Sequence, residues 1–141
     1  MGENVTSRAL KTSQPAKPAQ GAFTLRHTDG CHYLFGWTGK ALRQLTGRAL
    51  RDHDFLSLWR AKDRVFLQAQ LDDVRRYGRA RTIKARAIMF SGESRSCSFE
   101  FSKLAHPGWR NAAMGCRWRS PFHKDLPSHP IRHLILDTDT A

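Results

Sequence analysis

The sequence contains no apolar run approaching the roughly 18 residues of a membrane-spanning helix, so no membrane insertion is expected. No apolar stretch follows the first N-terminal charges, and no secretory signal is expected either. Cysteine is scarce: Cys31, Cys97 and Cys116 are an odd, widely spaced set that suits reduced thiols in a cytoplasmic protein. A Gly-rich phosphate loop, His-Glu-x-x-His, Cys-x-x-Cys and a nucleophile elbow are all missing. Asp72 and Asp73 are adjacent and, on a helix, point about 100° apart, which suits solvent exposure rather than paired acid–base work. No enzyme activity is expected.

Metal and cofactor ligation find equally little support. Cys31 and His32 face opposite sides of a strand, so with His27 and His53 they do not converge on one point, and no metal is expected. His123, His129 and His133 sit in a Pro-broken tail and are expected on the surface. A flavin light sensor needs a reactive cysteine on the helix side of a pocket beside amide side chains. Here Cys97 and Cys116 fall on predicted strands and Gln68 and Gln70 on a helix, so no cofactor is expected.

Acidic residues are also in deficit, with 12 Asp plus Glu against 24 Lys plus Arg over 141 residues, a net charge of +12. The excess is concentrated. Residues 1–73 carry 11 basic and 7 acidic side chains, whereas residues 74–124 carry 12 basic side chains against Glu93 and Glu100 alone. A field of that sign attracts nucleic acid, anionic lipid or an acidic protein surface, and a merely solvated basic face is the plain alternative.

Three segments follow from composition. Residues 1–21 are polar, contain Pro15 and Pro18 and read as a flexible tail; 22–120 form the folded domain; 121–141 are a C-terminal extension. Within the domain, Asp29-Gly30 predicts a turn between strands over 23–27 and 31–35. Thr38–Gln44 is echoed eight residues on by Thr46–Asp52, which predicts two short helical turns punctuated by glycine. Leu67, Leu71 and Val74 mark a helix over 61–77, its stripe widened by Phe66, with Asp63 in the first turn and Gly78 closing the end. From residue 81 the period becomes two. Ile83, Ala85, Ala87 and Met89, then Cys97, Phe99 and Phe101, then Met114, Cys116 and Trp118 alternate with polar neighbours, which predicts an antiparallel meander of three strands with one apolar face. Ile131, Leu134 and Leu136 offer either an edge strand or core packing. The predicted class is α+β: a five-stranded antiparallel sheet with short helices and one longer helix on one face.

Gly30-Cys31-His32-Tyr33-Leu34-Phe35-Gly36, Gly47-Arg48-Ala49-Leu50, Phe55-Leu56-Ser57-Leu58-Trp59 and Asp63-Arg64 together resemble the PAS superfamily, in particular small single-domain PAS proteins of alphaproteobacteria, over roughly residues 22–120. Two departures stand out. Residues 37–45 intervene where that branch runs almost directly from Leu-Phe-Gly to Gly-Arg, and the helical segment usual before the first strand is replaced by the Pro-bearing tail. The resemblance implies a non-catalytic sensory or interaction module of bacterial signal transduction, acting through protein–protein contacts.

Two sets of residues are candidates for binding. Leu25, Phe35, Phe55, Trp59, Phe66, Ile83, Phe99, Met114 and Trp118 face the helices and form either a plain core or, as the resemblance implies, a pocket for a hydrophobic small molecule of unknown identity. Lys84, Arg86, Arg117 and Arg119 fall on the outward face of the sheet, with Arg75, Arg76, Arg79 and Arg81 at the helix-to-strand junction. This basic surface suits a regulatory or signalling protein with an acidic surface. The alternative is a nucleic-acid-associated protein gripping the phosphate backbone, which is disfavoured because the expected outward face carries no aromatic side chain for base stacking. A homodimer is the third partner the resemblance allows, although an outer face this charged does not favour self-association.

Overall fold

The computed structural model describes residues 21–29, 32–104, 114–119 and 131–137. In chain order the elements are β1 (Ala22–His27), β2 (Tyr33–Thr38), α1 (Lys40–Thr46), two 3₁₀ turns (Phe55–Leu58 and Ala61–Asp63), α2 (Arg64–Tyr77), β3 (Arg81–Met89), β4 (Ser94–Lys103), β5 (Met114–Arg119) and β6 (Ile131–Leu136). The strands form one sheet in the order β2-β1-β5-β4-β3-β6, and every neighbouring pair is antiparallel. A sixth strand thus extends the five predicted. Leu134 is fully buried beside Ala87, whose small side chain leaves it room, so the sheet gains core by adding this edge strand. Gly30, Cys31, His123, His129 and the segments 1–20 and 121–130 lie outside the described residues.

Alternation dictates the faces. Phe23, Leu25, Ile83, Ala85, Ala87, Cys97, Phe99, Phe101, Met114, Cys116 and Trp118 all turn inward and are buried. Against them α2 buries Leu67, Leu71 and Val74, and α1 buries Leu42 and Leu45. Helix α2 ends at Gly78, whose left-handed backbone (φ 74°) returns its N–H to the Val74 carbonyl. At the start of β1, Gly21 is required for a different reason: a Cβ there would lie 2.3 Å from the Trp118 carbonyl oxygen.

The second copy of the echoed segment is not a helix. Gly47 terminates α1 in the left-handed region, and the following chain is pulled onto the edge of β2. There Asp52 N–H donates to the Phe35 carbonyl at 2.8 Å and Phe35 N–H to the His53 carbonyl at 2.9 Å. The predicted helix over 61–77 likewise begins as a 3₁₀ turn, and Asp63 ends that turn, buried, instead of standing in the first α-helical turn.

The segment from Asp52 to Asp63 runs from one edge of the sheet to the other. It bridges β2 at Leu34–Asp54 and β6 at Trp59–Leu134, where Arg60 N–H also donates to the Leu134 carbonyl at 2.8 Å. The four residues between the two bridges, Phe55–Leu58, are wound into a 3₁₀ turn that rises only about 2 Å per residue, so this short segment draws together outer strands that would lie about 24 Å apart if six strands were laid flat. The sheet is therefore curled, and both edges are occupied by the chain's own backbone.

Candidate functional site: an outward sheet face with a tryptophan anchor

The inward set is brought together as predicted in all but one member. Leu25, Phe35, Phe55, Trp59, Ile83, Phe99, Met114 and Trp118 are buried, and Phe66 is 40% exposed. One position from Leu67 on a helix is a rotation of about 100°, enough to carry Phe66 off the buried stripe. The buried rings pack on one another. Phe55 stands at the centre, with the rings of Phe23, Phe35, Trp59, Phe99 and Phe101 at 5.6–6.0 Å and mostly edge-on. A ligand between sheet and helices would have to displace this cluster. The thiols of Cys97 and Cys116 line the same interior, and burial pushes Cys97 up to about 11 and Cys116 well above the ordinary thiol range.

The eight candidate basic residues divide into three groups. Arg76 and Arg79 are exposed at the helix–strand junction. Arg75 and Arg81 are not part of an outward surface. Arg81 stands opposite Phe101, so its phase is inward, and it reaches Asp73 of α2 at 3.5 Å. Arg75 donates through Nε to the Tyr33 hydroxyl at 3.1 Å and lies 3.6 Å from Asp72. Asp72 and Asp73, expected in solvent, are thus partnered and half-buried.

Tyr33 completes that cluster. Its ring is fully buried and its hydroxyl donates to Asp72. Burial, and then the bond to Asp72, push the phenol up to about 12. The His27 ring lies 5.1 Å away and is lowered by burial and by Arg75, while His32 turns aside to Asp54 at 3.2 Å. The folded state therefore retains the Tyr33 proton in a range where the unfolded chain, near its usual value of about 10, releases it. This contribution is complete below pH 10 and is lost as pH rises towards 12, a fall of about 2–3 kcal/mol. Urea titrations across that range should show the fall. Cys97 and Cys116 titrate nearby, so the difference from Tyr33→Phe isolates the phenol; identical pH profiles would refute this assignment.

Lys84, Arg86, Arg117 and Arg119 share the outward face. Pairing aligns Ala22, Arg117, Glu100 and Thr82 in one row across β1, β5, β4 and β3, and Arg119, Ser98 and Lys84 in the next. The central strand β4 contributes Ser94, Ser96, Ser98 and Ser102, so a lane of small hydroxyl side chains runs between cationic walls. Arg86 lies along this lane, donating to the Ser94 hydroxyl at 2.7 Å and the Ser96 hydroxyl at 3.2 Å. Arg119 Nε lies 2.8 Å from Glu100 Oε2. Arg117 meets no carboxylate among the described residues.

One residue of this face was not foreseen. Simple alternation along β2 would turn Trp37 inward with Tyr33 and Phe35. Instead Leu25 pairs with Phe35 and Phe23 with Thr38, so two steps of β1 match three of β2, and this bulge turns Trp37 outward. Its backbone N–H donates to Thr24 Oγ1 at 3.0 Å, and its ring is 42% exposed. With Gly115, Ser102, Arg117 and Arg119 it lines an open depression of about 480 Å³. Gly115 brings no side chain to that depression, and a Cβ there would press against the Leu104 side chain at 3.2 Å.

The profile of the PAS domain family matches residues 17–102. The chain belongs to the PAS domain family. Its curled antiparallel sheet, with few helices on the inner face, is the PAS fold, and PAS domains are sensory and interaction modules, typically non-catalytic. Among solved structures the PAS domain is similar to one described as "Structure of an RNA-binding Light-Oxygen-Voltage Receptor", with a TM-score of 0.47 and 15% identity over 71% of this chain and 27% of that one. It therefore spans about a quarter of that receptor's length. No curated protein matches. Among the described residues no helix is long and apolar enough to cross a membrane.

Proposed function

We propose that this PAS domain is a non-catalytic docking module that holds an acidic protein segment across the outward face of its sheet. In keeping with its resemblance to small alphaproteobacterial PAS proteins, it acts in bacterial cytoplasmic signalling. The observation that carries the reading is Trp37 beside Arg117 and Arg119 in one open depression. Tryptophan and arginine together are the composition of a protein interface anchor. Both sheet edges are bonded by the 52–63 segment, so a partner is left to use a face rather than add a strand.

The exposed aromatic removes the first objection to nucleic acid, but the rest of the face still favours protein. A stacking platform for single strands uses successive aromatics, and Trp37 is one ring at the end of a serine lane. Glu100 is engaged by Arg119 at 2.8 Å and opposes any anion alike, whereas the serine hydroxyls, able both to donate and to accept, suit the alternating N–H and C=O groups of a peptide. Fluorescence anisotropy with a labelled Glu/Leu peptide and a labelled single-stranded oligonucleotide, at about 0.15 M salt, separates the two. The peptide should bind, and Trp37→Ala and Arg117→Glu should each weaken it at least about tenfold. Peptide affinity unchanged in both variants would overturn the proposal, as would an oligonucleotide that binds more tightly than the peptide.

A further inference from the structure

A second concavity lies away from that depression, where the end of α1, the first 3₁₀ turn, the β3–β4 turn and the start of β6 meet. It encloses about 280 Å³, close to the lower limit of about 300 Å³ for small-molecule pockets. Its apolar wall is made by Leu58 and Ile131, both nearly buried, and by Phe90, whose ring is 70% exposed. Isolated exposed phenylalanines are ordinary; one placed over a concavity beside buried aliphatic side chains presents a face on which a ring can stack.

The polar lining has one sign. Arg48, Arg132 and His133 contribute to it, and no Asp or Glu does among the described residues. Neither arginine has a carboxylate partner among the described residues. The hydroxyls that share the cleft are already spent as donors: Ser57 Oγ donates to the Asp54 carbonyl at 2.6 Å, and Thr46 Oγ1 to the Leu42 carbonyl at 3.2 Å. The Thr46 bond, with Gly47 N–H on the Arg43 carbonyl, also satisfies carbonyls at the end of α1 that would otherwise repel an anion. Donors for a ligand therefore come from the two guanidinium groups and the imidazole, and guanidinium forks match carboxylate and phosphate oxygens in pairs.

We propose that this cleft binds a small aromatic oxyanion, an aryl carboxylate or aryl phosphomonoester, with the ring against Phe90, Leu58 and Ile131 and the head group between Arg48 and Arg132. The site is separate from the filled interior of the domain and uses none of the outward-face residues assigned to docking.

The test is ¹H–¹⁵N NMR on the full chain, titrated with phenyl phosphate, benzoate and inorganic phosphate up to about 10 mM, the range in which a millimolar site saturates. Phenyl phosphate or benzoate should saturably shift the amides of Thr46, Ser57, Phe90 and Arg132, and which of the two binds more tightly identifies the head group. Arg132→Gln and Phe90→Ala, both at exposed positions, should each weaken binding about tenfold, and Arg117→Glu should leave it unchanged. No saturable shift with either aromatic probe would overturn the proposal. So would inorganic phosphate binding as tightly as phenyl phosphate, or full affinity in the Arg48→Gln/Arg132→Gln double variant.

Discussion

Phe55→Ala should remove a large share of the stability of this domain. Phe55 is fully buried and, among the described residues, is the one ring within about 6 Å of five others, those of Phe23, Phe35, Trp59, Phe99 and Phe101. Truncating a buried phenylalanine forfeits its transfer free energy and leaves a cavity the surroundings fill only in part, a loss of about 3–5 kcal/mol. Domains of this size hold about 5–15 kcal/mol in all. The urea midpoint should therefore fall steeply, and Phe55→Leu, which keeps more of the volume, should fall less. The variant also tests how the interior is filled. An apolar cavity of that kind takes up benzene-sized molecules, so added benzene should raise the midpoint of Phe55→Ala and leave the parent protein unmoved. A loss below about 1 kcal/mol would show that the rings are not mutually supporting. Stabilisation of the parent protein by benzene would show room between sheet and helices and revive an interior ligand.

Why this interior was legible in the sequence, and the outward face only partly, follows from what periodicity encodes. Strands β3, β4 and β5 are regular, so Ile83, Phe99, Met114 and Trp118 could be assigned inward, and Lys84, Arg86, Arg117 and Arg119 outward, from alternation alone. Trp37 could not. Its direction depends on one extra residue in β2 relative to β1, and a bulge is a property of the pair rather than of either strand. Arg81 lies at the expected helix-to-strand junction, but the alternation of β3 gives no sign that it takes the inward phase and reaches Asp73 of α2. Arg75 and Asp72 face Tyr33, nearly forty positions away in the chain, and composition gives no sign of that meeting. Phe66 failed on angle, since a stripe widened by one position is already a third of a turn wide. His133, expected on a free surface, stands in β6 opposite Ile88 because a sixth strand was available to fill the edge of β3. Local pattern thus identified the layers, and long-range polar pairing decided which charges remain free to bind.

Asp63 shows the same pairing where the largest polar effect is expected. It belongs to the Asp63-Arg64 motif and, as an acidic residue before a helix, invites reading as a dipole partner for α2, but its side chain caps nothing there. Its carboxylate is buried, and Oδ2 accepts from Arg60 at 3.1 Å and from the Leu136 amide of β6 at 3.0 Å. Beside it, Arg64 Nε donates to the Trp59 carbonyl at 2.9 Å, which fixes the chain on the residue that bridges β6 at Leu134. The motif is a clasp that fastens the 3₁₀ segment to the last strand. Asp63→Ala leaves a backbone N–H and a guanidinium without their acceptor, a loss of about 3 kcal/mol, at the lower end for a broken buried pair because Arg60 is partly solvated. Asp63→Asn keeps an oxygen for Leu136 but not the charge, and should lose about half as much. Hydrogen exchange tells a clasp from a general weakening. In Asp63→Ala the amides of Leu134 and Leu136 should lose more protection than those of Leu25 and Phe99, because β6 is released while the inner strands keep their partners. Equal loss across all the strands would mean that the sheet opens as one unit and that Asp63 fastens no particular edge.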